Sequence, residues 1–113
     1  MIKALIIDDE QHCIDRITRL LEKNYADTIQ LEASAGSVKD GIAAIKKCQP
    51  DLIFLDVQIQ DGTGFDLLRA CEKINFRIIF TTAYDHYAIE AFQTNGIDYL
   101  LKPIEEDRLK KAI

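Results

Sequence analysis

A chain of 113 residues, 48% hydrophobic and 29% charged, is sized for one domain with a buried core, and this composition excludes disordered and fibrous classes. Its 14 basic and 19 acidic residues give a formal charge of -5, so its surface repels nucleic acid and anionic lipid and direct DNA binding is not expected. The start Met1-Ile2-Lys3 has no signal-peptide pattern, no stretch approaches bilayer length, and Cys13, Cys48 and Cys71 lack a pairing or metal-ligand spacing, which together point to a reducing cytoplasm.

In chain order, the apolar run Ala4-Leu5-Ile6-Ile7 predicts a first strand over Ile2–Ile7 that ends directly in Asp8 and Asp9. A helix is expected from about Gln11 to Asn24, with Ile14, Ile17 and Leu21 on one face. The second strand, about Ile29–Ser34, alternates apolar and polar residues and so reads as a half-exposed edge. A second helix over Val38–Cys48 presents Val38, Ile42 and Ile45 and is stopped by Pro50. The run Leu52-Ile53-Phe54-Leu55 is a third strand ending in Asp56, after which a loop with Gly62 and Gly64 enters a third helix through Leu67, Leu68 and Cys71. Arg77–Thr82 is a fourth strand, Tyr87 to Asn95 a fourth helix stopped by Gly96, and Tyr99–Lys102 a fifth strand before Pro103. A last helix begins near Glu105 with Leu109, Ala112 and Ile113 on one side. Its shortness reads residues 1–113 as a single domain from the N-terminal part of a longer protein.

Short apolar runs alternating with helical segments predict an α/β fold, a doubly wound five-stranded parallel sheet with helices on both faces. Such sheets bind ligands beyond the carboxyl ends of their strands, where strand order reverses. The order 2-1-3-4-5 agrees with the edge character of the second strand and brings Asp8, Asp9 and Asp56 together. Carboxylates at the ends of buried strands are costly without a counter-charge, and hard oxygen donors of this kind suit magnesium. Asp56 is then a candidate nucleophile toward phosphorus, with the Thr82 hydroxyl and the Lys102 ammonium as partners of phosphoryl oxygens. Each residue also has an ordinary reading. Asp8-x-x-Gln11 is a possible capping box, Asp56 a turn residue, Thr82 a strand residue and Lys102 a solvated end. His12 and His86 have no partner pattern and read as surface residues, and the cysteines read as small buried hydrophobes within helices.

The stretch Ile6-Ile7-Asp8-Asp9-Glu10, the Asp56 strand end, Thr82-Ala83 and Lys102-Pro103 resemble, in order and spacing and over the whole chain, the receiver domain of two-component response regulators, a flavodoxin-like fold. Within that family, residues 80–92 and 97–104 are similar to the LytTR class, in which a DNA-binding domain follows the receiver. The resemblance implies a signalling switch rather than a turnover enzyme, one that takes part in its own phosphorylation and slow dephosphorylation. It implies that Asp56 is the phosphoacceptor, that Asp9, Asp56 and the Gln58 carbonyl bind Mg2+ with Asp8 helping to position it, and that Thr82 and Lys102 contact the phosphoryl group. Tyr99 takes the place of the switch aromatic, and the Lys102-Pro103 bond is expected to be cis. The implied partners are a sensor histidine kinase and, on phosphorylation, a second copy docked through the fourth helix, fifth strand and last helix. DNA would be reached only through an output domain outside this chain, and no membrane is involved.

Where the family usually has proline four positions after the acceptor, this chain has Gln60, which predicts a less rigid loop. Gln58 and Tyr84 flank the expected path of attacking water and are candidates for setting the lifetime of the modified state. Three alternatives fit less well. A phosphatase of the haloacid dehalogenase type needs an acid two residues after its nucleophile, where Gln58 stands. A flavodoxin-like electron carrier needs a first loop that cradles phosphate, which Asp8-Asp9-Glu10 would repel. A receiver that never takes phosphate would lack one of the required residues, and all are present.

Overall fold

The computed structural model describes residues 1–83 and 97–113. Its strands are β1 (Ile2–Ile7), β2 (Ile29–Ala35), β3 (Leu52–Asp56), the two-residue β4 (Gln58–Ile59) and β5 (Gly62–Thr63), β6 (Arg77–Thr82) and β7 (Ile97–Leu101). The helices are α1 (Gln11–Tyr25), α2 (Val38–Cys48), α3 (Gly64–Ala70) and a C-terminal helix (Glu106–Ala112). The main sheet is parallel, in the order β2-β1-β3-β6-β7, which is the expected 2-1-3-4-5 once the small β4-β5 hairpin is set aside. The expected fourth helix, with Tyr84, His86 and Gly96, lies outside the described residues.

The central strands are apolar through their middle positions because the pleat sends successive side chains into two cores. Ala4, Ile6, Leu52, Phe54, Ile79 and Leu100 pack on one face against Ile17, Leu20 and Leu21 of α1 and Leu109 and Ala112 of the C-terminal helix. Leu5, Ile7, Ile53, Leu55, Ile78 and Phe80 pack on the other against Leu67 and Leu68 of α3 and the half-buried face of α2. The edge strand β2 alternates in exposure, as its sequence predicts.

Local chemistry sets the helix ends. Ser37 caps α2 by accepting the Asp40 amide at 3.0 Å. The helix stops because Gln49 turns left-handed, with φ of 48°, before Pro50. Thr63 and Asp66 make a reciprocal capping box that starts α3. Cys71 is the C-cap of α3 rather than a helical residue, and the β4-β5 hairpin occupies what the sequence reads as plain loop. At the far end of the sheet Arg77 pairs with Asp98 at 2.8 Å and donates to the Ala112 carbonyl at 2.6 Å, closing the C-terminal helix.

Candidate functional site

Strand register alone gathers the predicted residues. Ile7 pairs with Leu55, so Asp8 and Asp56 each stand one residue beyond that pair on neighbouring strands. Asp56 is opposite Thr81, which puts Thr82 one step further along the same rim. Thr82 is opposite Leu101, and the Lys102 amide just past it donates to the Thr82 carbonyl at 2.7 Å. The Lys102-Pro103 bond is cis, as expected.

The resulting cluster is dominated by negative charge. Asp8 is 1% and Asp56 5% exposed. The Lys102 ammonium sits between them, 2.9 Å from Asp8 Oδ2 and 3.1 Å from Asp56 Oδ2, and 3.1 Å from Glu10 Oε1. Asp8, Asp9, Glu10 and Asp56 each bring a carboxylate oxygen within 4.8 Å of the others. Three of these acids, Asp8, Glu10 and Asp56, thus share one lysine. Burial, followed by the Asp8 charge, pushes the Asp56 carboxyl up to about 6, with Lys102 and the Gln58 amide only partly opposing. Burial works to lower the Lys102 pKa, but the carboxylates of Asp8, Asp56 and Glu10 outweigh it and hold the ammonium above its ordinary value. The hydrogen bond and charge of Lys102 in turn hold Glu10 below the usual glutamate value.

These residues fit a hard divalent cation. The donor set is all carboxylate, and Asp8 Oδ2, although close to the lysine, has no hydrogen bond of acceptable alignment. A buried, incompletely satisfied carboxylate oxygen beside three more acids is the chemistry that magnesium rather than a softer ion takes.

The loop after Asp56 is held by hydrogen bonds. Gly64 N donates to the Val57 carbonyl at 2.8 Å, and Gln60 N to the Gly36 carbonyl at 3.2 Å. The Asp61 carboxylate accepts the Val38 amide and, at 3.1 Å, the Lys39 amide at the start of α2. Those amides hold the Asp61 carboxyl below the usual range, the Val38 bond most strongly. A proline at position 60 has no N–H and could not make the Gly36 bond. The expectation of a looser loop therefore gives way to one fastened to the β2-α2 junction. Gly64 is needed for close approach: a Cβ there would lie 2.7 Å from the Asp56 carbonyl oxygen and 2.9 Å from both Leu55 Cγ and Phe80 Cε1.

Asp8, Asp9, Asp56 and Lys102 are thus brought together, and Thr82 lies wholly buried on the same rim. The Gln58 side chain is exposed, while its amide is 3.4 Å from Asp56 Oδ1. Tyr99 is opposite Phe80 in the ladder and half-buried against the α2-α3 core. Tyr84 is outside the described residues. Asp8 does not cap α1: Glu10 holds the N-cap position without a side-chain bond, and Asp8 Oδ1 accepts the Glu10 amide at 2.9 Å instead. Glu10 itself is a site residue that the sequence reading left without a role. Its position directly after Asp8-Asp9 was the available signal.

A family model described as response regulator receiver domain matches residues 4–113. The sensory transduction protein LytT of Bacillus anthracis is 36% identical to this chain, all of which aligns with 46% of that protein. The transcriptional regulatory protein BtsR of Salmonella typhi is 39% identical, again with the whole chain covered and 47% of the relative. The chain therefore spans about half the length of the curated relatives it matches. The crystal structure of the response regulatory domain of protein mrkE from Klebsiella pneumoniae superposes with a TM-score of 0.86 at 27% identity, covering 97% of this chain and 90% of that one.

Proposed function

The chain belongs to the response regulator receiver domain family, and from that premise we propose that it is a phosphoacceptor switch in which Asp56 takes a phosphoryl group from a sensor histidine kinase. The observation that carries this reading is Lys102, whose side chain is 8% exposed and whose ammonium is held between two buried aspartates at the sheet rim. A lysine so placed balances charge that changes on Asp56, which a merely structural ion pair would not require.

Asp56 attacks phosphorus through a carboxylate oxygen; the bond from phosphorus to the donor nitrogen breaks as the acyl phosphate bond forms. Lys102, already 3.1 Å from Asp56 Oδ2, turns to a phosphoryl oxygen, and the Thr82 hydroxyl donates to another. Asp8, Asp9, Asp56 and the Gln58 carbonyl would hold Mg2+, whose charge screens the repulsion between an anionic donor and an anionic acceptor. Tyr99 is the aromatic that repacks when Thr82 moves toward the new charge. Tyr84 and Gln58 tune the lifetime by limiting water, so Tyr84→Ala is expected to speed dephosphorylation.

The full protein reads as a cytoplasmic LytTR-type transcriptional regulator, with DNA contacted by an output domain beyond this chain. Phosphorylation promotes a homodimer through the segment expected to be helical over 87–95, β7 and the C-terminal helix. Sedimentation with beryllofluoride should show the larger mass, and an unchanged mass would overturn the dimer. The phosphoacceptor assignment is tested by incubating the protein with Mg2+ and acetyl phosphate and weighing it. One added phosphoryl group on the wild type and none on Asp56→Asn is expected; equal labelling of both proteins would refute it.

A further inference from the structure

A cavity beside the acid pocket has a volume of about 320 Å³ and is lined by Glu10, His12, Cys13, Arg16, Lys102 and Ile104 among others. The sequence gives His12 and Cys13 no partners, but the first turn of α1 places Glu10, His12 and Cys13 so that one carboxylate oxygen, one imidazole nitrogen and the thiol sulfur lie within 4.8 Å of one another. Glu10 divides its oxygens: Oε1 faces Lys102 at 3.1 Å and Oε2 faces His12 Nε2 at 3.5 Å.

We propose that Glu10, His12 and Cys13 form a second cation site, for a borderline transition metal such as zinc, which shares Glu10 with the all-oxygen cluster of Asp8, Asp9 and Asp56 but differs from it in donor chemistry. Mixed oxygen, nitrogen and sulfur donors are the set that zinc takes and magnesium does not. With zinc bonds near 2.0–2.3 Å, neighbouring tetrahedral ligand atoms lie roughly 3.3–3.8 Å apart, a spacing the Glu10–His12 pair already meets at 3.5 Å and the thiol reaches by closing at most about an ångström. His12 and Glu10, 79% and 47% exposed, have the freedom to do so, whereas Cys13 is half-buried and fixed on the helix. Binding releases the thiol proton to solvent and leaves a fourth position for water. The surrounding carboxylates supply a field that favours a second cation despite the lysine. Occupancy draws Glu10 toward the metal and away from Lys102, so the site reports on, and acts on, the lysine that faces Asp56.

The site does not depend on whether Asp56 accepts phosphate, and the test uses Asp56→Asn as well as the wild type. Cobalt(II) is titrated as the spectroscopic probe with Mg2+ in excess. A thiolate-to-cobalt charge-transfer band in the near ultraviolet, lost on adding zinc, is expected in both proteins. Cys48→Ser/Cys71→Ser should keep the band and Cys13→Ser should lose it. His12→Ala, a change at an exposed side chain, should weaken binding by at least about tenfold, the lower range for disturbing a metal ligand's support. Absence of the band in the wild type, its survival in Cys13→Ser, or its removal by Mg2+ would overturn the proposal.

Discussion

The two rims of the sheet handle charge in opposite ways. At the amino end of the strands, Arg77 and Asp98 are 50% and 44% exposed, and Asp51 accepts the Lys3 amide at 2.9 Å. Charges there are solvent-accessible and spent on closing helix and strand ends. At the carboxyl end, the side chains of Lys102, Asp8 and Asp56 are 8%, 1% and 6% exposed, and among the described residues three acids, Asp8, Glu10 and Asp56, compete for the Lys102 ammonium. Among the described residues, the second rim is the one left with a buried carboxylate oxygen that lacks a hydrogen bond. The same sheet thus keeps its ordinary stabilising chemistry at one end and a site that gains by acquiring positive charge at the other.

The sharpest way to break the contrast is to remove the shared cation. Lys102→Met leaves buried carboxylates uncompensated and should cost about 3–5 kcal/mol of metal-free stability in urea unfolding. Much of that loss should return on adding Mg2+. If the variant is as stable as wild type without metal, the carboxyl rim is not under the strain described. Gly64→Ala forces a Cβ against the Asp56 carbonyl and two core side chains, and should lower stability by about 3 kcal/mol, the upper end for overpacking. Its effect should be independent of Mg2+, which separates packing beneath the rim from charge upon it.

Neutralising the acid should act in the other direction. The folded-state pKa of Asp56 lies above its unfolded value, at about 6 against 3.8, so the wild type binds more protons when folded and loses stability as pH rises through that window. Asp56→Asn should therefore exceed the metal-free wild type by on the order of 2 kcal/mol above pH 6, with the difference vanishing as pH falls toward 4. Thermal unfolding at several pH values reads this directly, and a difference that does not vary with pH would count against it. At the opposite rim Arg77→Ala should cost no more than about 1 kcal/mol, because its ion pair is solvent-screened, and should show no response to Mg2+.

The sequence made the rim readable because each of its residues interrupts or ends an apolar run, and strand register carries those ends to one place. Asp8, Asp9, Asp56, Thr82 and Lys102 needed no more than that. Glu10 was obscured because its role depends on where Lys102 comes to rest, 92 positions away along the chain. The β4-β5 hairpin and the Gly64 contact arise from tertiary crowding against Leu55 and Phe80, which local pattern does not encode. The alternative reading of Asp8-x-x-Gln11 as a cap does not hold because the carboxylate is held inward, with Oδ1 on the Glu10 amide and Oδ2 beside Lys102. His12 and Cys13 looked idle because neither spacing nor composition reveals that a helix turn closes them on Glu10.

The Gln60 amide has a use that a proline ring could never offer. Its hydrogen is shielded only while the Gly36 carbonyl stays in reach at 3.2 Å. Deuterium uptake at this one backbone position is therefore a built-in gauge of how often the segment after Asp56 lifts from the neighbouring junction. Reading it with and without acetyl phosphate and Mg2+ would show whether the proposed modification of Asp56 moves this segment, with no label added to the protein.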